Sequence, residues 1–366
     1  MTNINIIEIR RLEDLEKHQE EWDTLIQKCP GSVHTQSFAV IYSFFLNSLQ
    51  PNRRWICLLA YDRSKLIAVY PLIVGRRIGI PGLCLQTFAT PYDTFQAIRI
   101  DSLILPGYES TLEVFIDHLR KSFRAFPIIT LRGIPELSPS IVYFHYKQKS
   151  LSFYKKYAGE ETFIPLSDNY QKYLSGLKPK FRSDIERRLR KLSAWDHNVY
   201  FRFRDNQRTN EENLEIFKEI ESGGWKGRKK TDIKTRSKDS EFFHTATNKL
   251  HEKGWIQWNF MEVNNETIAA QLHVRINNTT VFWKIAYKEK YGLYAPGILL
   301  LYKSIEDCYN HGEFVEINLM NKKEWFGNWN VKNRPLYNLK IMPNRFLFTQ
   351  LIILYLRIKN MCSVIN

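Results

Sequence analysis

A segment between residues 280 and 311 joins a β-rich run, a short loop and a helical pattern, and this combination suits the binding of an anion. The helical pattern begins at Pro296 and Gly297. The first turn of a helix leaves backbone N–H groups without intrahelical acceptors and carries a partial positive charge. Because glycine has no Cβ, a phosphate can approach the backbone closely at Gly297. The segment is therefore a candidate pyrophosphate site, although a Pro-Gly pair is also common at a simple helix start.

The elements that must position this segment occur twice along the chain in nearly the same order. Hydrophobic periodicity in each half predicts a strand, two helices, a run of strands, a helix and a final strand. In the first half these elements are predicted at 4–9, 12–26, 36–49, 55–61, 66–74, 112–123 and 128–131. In the second half they are predicted at 199–203, 211–221, 241–251, 255–263, 267–276, 280–287, 297–311 and 314–319.

Two copies of one order predict an α+β fold class with two tandem domains, each a mixed, mostly antiparallel sheet flanked by helices. The expected domains are residues 1–150, residues 151–345 with the active site, and a C-terminal docking helix or tail at 346–366. The apolar run at 346–356 is too short to span a bilayer, which takes about 20 residues. It is predicted to be a buried docking helix, with an interfacial membrane anchor as the alternative.

The chain is basic, with 53 lysines and arginines against 38 acidic residues and a net charge of +15. Residues 178–191 alone hold seven cations on an amphipathic helical pattern. A field of this sign attracts polyanions, and coenzyme A, transfer RNA, acidic lipid surfaces and nucleic acid all meet that description. Charge therefore narrows the class of partner without choosing within it.

The cysteines and the start of the chain favour a cytoplasmic location. No basic stretch followed by an apolar one opens the sequence, so no export signal is expected. The five cysteines are scattered and show no C-x-x-C spacing, which argues against disulfides or a zinc site. No metal is expected, and the serine-hydrolase, P-loop and H-E-x-x-H patterns are also missing from the sequence.

Several separated stretches together resemble the CelD/BcsL-like acetyltransferase branch of the GNAT superfamily. They are KFRSDIERRLRKL at 180–192, ESGGWKG at 221–227, AYKEKYGLYAPGILL at 286–300, KEW at 323–325 and, in the first half, LIAVYPLIVGRR at 66–77. The resemblance covers most of the chain and rests on the order and spacing of these stretches. It implies two GNAT-like domains, of which the first is degenerate and the second catalytic.

The resemblance further implies an acyl-CoA donor lying along the strand that precedes the anion site. The residues expected to contact it are Trp283, Ile285, Tyr287, Tyr291, Ala295, Gly297 and Ile298. The usual GNAT phosphate loop, Q/R-x-x-G-x-G/A, is replaced here by YGLYAPG at 291–297. Related Fem-type enzymes share the fold and take aminoacyl-tRNA, so that donor stays open as an alternative.

Acyl transfer to an amine needs a base, because a lysine-like amine has a pKa of about 10.4. His273 is the first candidate, since strand alternation places it on one face with Gln271; its other interpretation is an ordinary solvent-facing histidine. Glu221, at the end of a predicted helix, is the second candidate, and otherwise a solvated helix end. Tyr294 is the tyrosine expected to assist the leaving thiolate.

The acceptor is expected to contact a separate group of side chains. Trp225 lies in a glycine-rich segment, where an aromatic ring is more easily explained as a wall of a substrate site than as core. The full set of expected substrate-binding residues is Trp225, Lys226, Gln271, Asp93 and Trp325. Asp93 is also explained by an ordinary turn.

The sequence thus predicts a cytoplasmic N-acyltransferase, in possible peripheral contact with the inner face of the membrane. It would join an acyl group from acyl-CoA to an amine on a sugar, lipid or peptide by direct attack in a ternary complex. Two alternatives stay open. One is a Fem-like aminoacyl-tRNA-dependent transferase, and the other is a non-catalytic GNAT-like scaffold in envelope polysaccharide or lipid assembly.

Overall fold

A computed structural model describes residues 4–80, 83–91, 98–146, 151–166, 169–193, 198–204 and 207–344. The chain divides into two compact units. Unit 1 contains Met1–Cys29, Gln50–Gly159 and Pro335–Asn366, and unit 2 contains Pro30–Leu49 and Glu160–Arg334.

The described strands are β1 Ile4–Ile9, β2 Arg54–Asp62, β3 Lys65–Ile80, β4 Leu83–Ala89, β5 Leu103–Ile104, β6 Phe126–Pro135, β7 Leu151–Pro165, β8 Val199–Phe203, β9 Ile256–Val263, β10 Glu266–Ile276, β11 Thr279–Tyr287, β12 Glu316–Asn321 and β13 Lys332–Pro343. The α-helices are α1 Leu12–Glu16, α2 Gln19–Gln27, α3 Phe38–Ser43, α4 Thr111–Phe123, α5 Pro139–Tyr146, α6 Tyr170–Ser175, α7 Pro179–Ser193, α8 Asn210–Ser222, α9 Trp225–Arg228, α10 Ser237–Glu252 and α11 Pro296–His311. A π-helical turn at Phe44–Ser48 and 3-10 turns at His34–Gln36, Glu289–Tyr294 and Glu324–Asn328 complete the set.

The sheet of unit 2 has the order β7-β12-β11-β10-β9-β8. All neighbours in it are antiparallel except β11 and β12, which are parallel and are joined by the crossover helix α11. The tight turns between β9, β10 and β11 use Asn264, Asn265 and Asn277 at positive φ, a conformation that asparagine tolerates. One face of the sheet packs against α11, and the other packs against α8 and α10.

Unit 1 repeats this arrangement. Its sheet runs β1-β2-β3-β4-β6-β13, and β4 pairs with β6 in parallel on either side of the crossover helix α4. The apolar stripe of α4 is buried with the inner faces of β2, β3 and β6. The predicted fold class, mixed and mostly antiparallel sheets flanked by helices, is confirmed.

Three parts of the sequence interpretation change. Residues 36–49, predicted as one helix of the first half, contain the short helix α3 and the π-helical turn. The whole segment Pro30–Leu49 belongs to unit 2, where Asn47 bonds to Glu241 and Thr245 of α10. The long strands β7 and β13 have no counterpart in the predicted order, and the chain passes from one unit to the other within each of them. The expected helix at 346–366 lies outside the described residues.

In the part of the chain that the structure describes, no helix has both the length and the apolar character needed to cross a membrane.

Candidate functional site

The two parallel strands of unit 2 separate part-way along their length. β11 pairs with β12 at three positions, ending with Val281 opposite Asn318, although β11 continues to Tyr287. On β12, the side chain of Asn318 accepts the N–H of Met320, whose φ of +64° lies in the left-handed region. Because this bend redirects β12, the second half of β11 runs on beside the start of α11 without β12 as its ladder partner.

A bulge in β11 divides its side chains between the two faces of the sheet. Leu272 of β10 stands opposite Lys284, whereas the next residue, His273, stands opposite Phe282, so Trp283 is an extra residue in the ladder. A bulge of this kind turns successive side chains away from strict alternation. Trp283 packs on Phe243 of α10, with ring centroids 5.0 Å apart. The ammonium group of Lys284 lies over the same ring at 4.9 Å.

The α11 face of β11 meets the first turn of that helix. Ala295, at φ +51°, precedes the helix, Pro296 is its first residue, and Gly297 is buried. A Cβ added at Gly297 would lie 3.3 Å from Cδ1 of Tyr287 and 3.5 Å from Cδ1 of Ile285. The absence of a side chain at this position therefore lets the helix start approach the strand.

Five of the expected donor-contacting residues are therefore close together in the structure. They are Ile285, Tyr287, Ala295, Gly297 and the half-buried Ile298. Trp283 lies on the opposite face of the sheet from them, because of the bulge.

The loop between β11 and α11 is fixed by an ionic anchor. The Glu266 carboxylate accepts hydrogen bonds from Lys288 at 2.8 Å, Lys290 at 2.8 Å and the hydroxyl of Tyr291 at 2.7 Å. The lysine bonds lower the pKa of Glu266 to about 2 against the opposing effect of burial. Tyr291 thus belongs to the support of the loop. Tyr294 is half-buried and packs against the apolar core of unit 2.

A second ionic contact ties the loop to the glycine-rich segment. Glu289 accepts the backbone N–H of Trp225 at 2.7 Å and binds the Arg228 guanidinium at 2.7 and 3.0 Å. The indole of Trp225 remains 48% exposed. An exposed aromatic ring on a segment fixed in this way is available to a ligand without first being ordered by it.

Glu221 lies beneath that segment as a buried carboxylate between two cations. Its Oε1 is 2.5 Å from the Lys226 ammonium and 3.7 Å from that of Lys284, while Oε2 accepts the N–H of Ile233. Burial alone would raise the pKa of Glu221, but the charges of Lys284 and Lys226 outweigh it and the pKa is lowered. The group is an ionised carboxylate in the interior, and it joins α8, the start of α9 and β11.

His273 is not the solvent-facing residue that strand alternation allowed. Its ring is fully buried, stacks on Phe282 at 3.8 Å and bonds through Nε2 to Gln271 at 3.0 Å. Burial lowers the pKa of His273 to about 3, so the ring is neutral at pH 7. A base must reach the amine that it deprotonates. We propose Glu221 as the base in place of His273, because the Glu221 carboxylate contacts Lys226 of the segment that carries the exposed Trp225.

The remaining expected substrate residues fall in different places. Gln271 is buried and accepts the Ser304 hydroxyl of α11 at 2.7 Å, which makes it part of an interior polar network. Trp325 is 43% exposed, with its ring 4.1 Å from that of Phe326. Asp93 lies outside the described residues.

Three residues that lie next to the expected site residues were not predicted from the sequence. Lys284 and Glu289 were passed over because lysine and glutamate in and after a strand are usually solvated. His34 lies about 250 positions before its neighbour Trp283, with ring centroids 4.7 Å apart. Nothing in the local pattern around His34 indicates that contact.

One protein-family model matches the part of the chain that contains this geometry. Residues 179–326 match a family model described as an acetyltransferase (GNAT) domain. That range runs from α7 to the turn after β12 and contains the bulged strand, the loop and α11. No curated protein sequence matches the chain.

Solved structures extend the similarity of fold to most of the chain. FemX aligns with a TM-score of 0.62 at 11% identity, over 94% of this chain and 99% of that one. A conserved protein of unknown function from Bacteroides thetaiotaomicron gives 0.53 at 10% identity, over 93% and 100%. The C-terminal domain of a putative lysylphosphatidylglycerol synthetase from Agrobacterium fabrum gives 0.51 at 9% identity, over 89% and 92%.

At these identities the structures show a shared fold, and the family model supplies the class of domain. The splayed strands, the bulge and the crossover helix all lie inside the matched range. Residues 179–326 are therefore similar to a GNAT-type acetyltransferase domain, and most of the chain shares its fold with these solved structures.

Proposed function

We propose that unit 2 transfers an acyl group from a coenzyme A thioester to an amine on a sugar, lipid or peptide, as in the CelD/BcsL-like branch. The observation that carries this proposal is the approach of α11 to β11 at Gly297, where a Cβ would press on Tyr287. A helix start brought against a strand that has lost its parallel partner offers N–H donors and positive potential to a pyrophosphate. Unit 1 is proposed to be the degenerate copy.

The donor thioester is proposed to lie along the second half of β11, with its phosphates at residues 291–297. Coenzyme A supplies a thiolate leaving group and hence an activated acyl carbon. Ile285 and Tyr287 would flank the chain of the donor, and Gly297 would face its phosphates. The loop held by Glu266 and Glu289 is then already arranged when the donor binds.

The acceptor amine is proposed to enter at Trp225 and Lys226, above Glu221. Its nitrogen attacks the thioester carbon, the C–N bond forms and the C–S bond breaks. The nitrogen becomes far more acidic once it is bonded to that carbon, so a carboxylate with a low pKa, Glu221, can accept its proton. The hydroxyl of Tyr294 is proposed to donate a proton to the departing thiolate. Trp325 is proposed to be a further contact of the acceptor.

Aminoacyl-tRNA is the second candidate donor, and one surface favours it. Helix α7 presents Lys180, Arg187, Arg190 and Lys191 on one exposed stripe. Phosphate contacts by four cations predict a log–log slope of affinity against salt of roughly −3.

We also propose, from the sequence alone, that the protein is cytoplasmic and makes a peripheral contact with the inner face of the membrane.

The test is thermal unfolding of the full chain with acetyl-CoA, a long-chain acyl-CoA or free coenzyme A. A ligand that binds only the folded state at 100 times its Kd adds about 2.7 kcal/mol to the free energy of unfolding, so a clear rise in Tm is expected. No rise with any thioester would contradict the acyl-CoA proposal. Salt-dependent binding of aminoacyl-tRNA under the same conditions would then support the second candidate.

A further inference from the structure

Two buried rings beside the bulge carry hydrogen-bonding atoms that no described protein atom satisfies. His34 is fully buried, and both its Nδ1 and its Nε2 are without a hydrogen-bond partner among the described residues. The Nε1 of Trp283, also buried, is in the same condition. Most buried polar atoms in folded proteins are hydrogen-bonded, so three such atoms on two neighbouring rings need an explanation.

Aromatic rings line part of the space around these atoms, and the ammonium group of Lys284 lies over one of those rings. The rings of His34 and Trp283 have centroids 4.7 Å apart. Phe243 and Phe242 of α10 lie 5.0 and 6.2 Å from the indole. A donor or acceptor buried in such a place is unfavourable unless something binds to it. Two neighbouring rings with unsatisfied atoms are therefore a candidate binding site for a small polar group.

The position of the pair links it to the proposed donor site. Trp283 is the extra residue of the β11 bulge, two residues before Ile285, whose Cδ1 lies near Gly297. The ammonium group of Lys284, which lies between these two residues in the strand, is 3.7 Å from Oε1 of Glu221. Trp283 and Ile285 lie on opposite faces of the sheet, but β12 no longer pairs with β11 beyond Val281. The acyl end of a thioester bound along β11 could therefore pass the edge of this strand and reach the face where His34 and Trp283 lie.

We propose that His34 and Trp283 bind a hydroxyl group on the acyl chain of the donor, and that unit 2 selects hydroxyacyl thioesters over plain acyl thioesters. This inference rests on the proposed function. A hydroxyl is the chemical complement of the pair, because it can accept the indole N–H and donate to an imidazole nitrogen. The phenylalanine rings suit the methylene groups of the same chain.

The charge state of His34 fits a neutral ligand group. Burial lowers the pKa of His34 to about 3, so at pH 7 the ring is uncharged and offers one donor and one acceptor. A neutral hydroxyl needs no counter-charge when it is buried, whereas a carboxylate would.

The experiment compares 3-hydroxybutyryl-CoA with butyryl-CoA on the full chain. The measurements are Kd, kcat/KM with a common amine acceptor, and urea unfolding. We expect the wild type to prefer the hydroxyacyl donor at least tenfold, and Trp283→Phe, which removes the N–H together with the five-membered ring of the indole, to reduce that preference about tenfold. The smaller ring costs some stability, but the loss should be less than where the N–H removed has a hydrogen-bond acceptor.

Trp258→Phe is the matched control. Trp258 is also buried in the sheet, but its Nε1 donates to Asn210 at 2.9 Å. Trp258→Phe removes the same ring atoms and also a satisfied hydrogen bond, so it should lower stability more than Trp283→Phe does and leave the ratio of the two thioesters unchanged. His34→Leu, of similar volume, should abolish the preference as Trp283→Phe does.

The outcomes separate this inference from the proposed function. Equal use of both thioesters by the wild type, or a preference that survives both Trp283→Phe and His34→Leu, would overturn the assignment of the hydroxyl site and leave the acyl-CoA proposal standing. A loss of stability in Trp283→Phe as large as in Trp258→Phe, with the preference intact, would assign the indole N–H to an ordered water and overturn the hydroxyl site. Binding of neither thioester would remove the proposed function and this inference with it.

Discussion

Replacing Gly297 with alanine tests where the donor phosphates bind. The new Cβ would lie 3.3 Å from a ring carbon of Tyr287, slightly inside ordinary contact, and 3.5 Å from Ile285, at an ordinary contact distance. Overpacking costs about 1–3 kcal/mol, whereas replacing glycine by alanine in a helix contributes up to about 1 kcal/mol. We therefore expect the variant to fold, with the free energy of unfolding lowered by about 2 kcal/mol at most.

Gly297→Ala should also weaken the binding of the donor. A methyl group at the helix start would keep a phosphate oxygen from one backbone N–H. A hydrogen bond to a charged group contributes about 1.5–3 kcal/mol, which corresponds to roughly 10- to 150-fold in Kd. Isothermal titration with acetyl-CoA measures this change directly, and urea unfolding of the same samples measures stability.

Gly327→Ala, in the 3-10 turn after β12, is the control, because its Cβ would meet no atom within 4 Å and the residue lies outside the proposed phosphate segment. It adds the same methyl group elsewhere in unit 2 and should bind acetyl-CoA as the wild type does. If Gly297→Ala is folded and its Kd lies within threefold of the wild type, the placement of the phosphates at the start of α11 is refuted.

Further predictions concern the acceptor side and the buried histidines. Glu221→Gln should lower kcat by about 10²-fold or more with little change in the Kd of acetyl-CoA, and an unchanged kcat would exclude Glu221 as the base. Trp225→Ala should raise the KM of the amine while changing the free energy of unfolding by less than about 0.5 kcal/mol, since the ring is half-exposed; an unaltered KM would remove it from the acceptor site. The pKa values of His34 and His273 are lowered from 6.5 to about 3, so the unfolded chain binds the extra protons first. Their contribution to the free energy of unfolding is complete above pH 6.5. At lower pH it decreases by about 1.4 kcal/mol per pH unit for each ring. Urea unfolding between pH 7 and 5 checks this, and His273→Gln should remove one ring's share of the slope.

Much of the fold follows from periodicity because most elements have one apolar face. β1 and β8 have the predicted bounds, and α11 differs from its prediction by one residue at its start and ends before Gly312 as expected. The misses have a common cause. β7 and β13 mix polar and apolar residues along their length, and their partners come from distant parts of the chain, so their pairing leaves no local pattern.

The candidate site was predictable where it depends on the backbone and not where it depends on burial. Gly297 signals a close approach through its own chemistry, and the structure contains that approach. His273 could not be placed, because alternation along a strand cannot distinguish a solvent face from one covered by a helix, and α11 covers it through Ser304 and Gln271. The bulge at Trp283 is likewise invisible in the sequence, yet it decides which face the indole occupies.

The attachment of the segment Pro30–Leu49 to unit 2 has a consequence for synthesis on the ribosome. Its partners on α10, among them Lys249 beneath the rings of Phe38 and Tyr42, follow about 200 residues later. At 5–20 residues per second, the segment must wait roughly 10–40 s before its binding surface exists. During that interval its apolar side chains are available to other partners, so unit 2 should depend on chaperones during translation more than its own compact core would suggest.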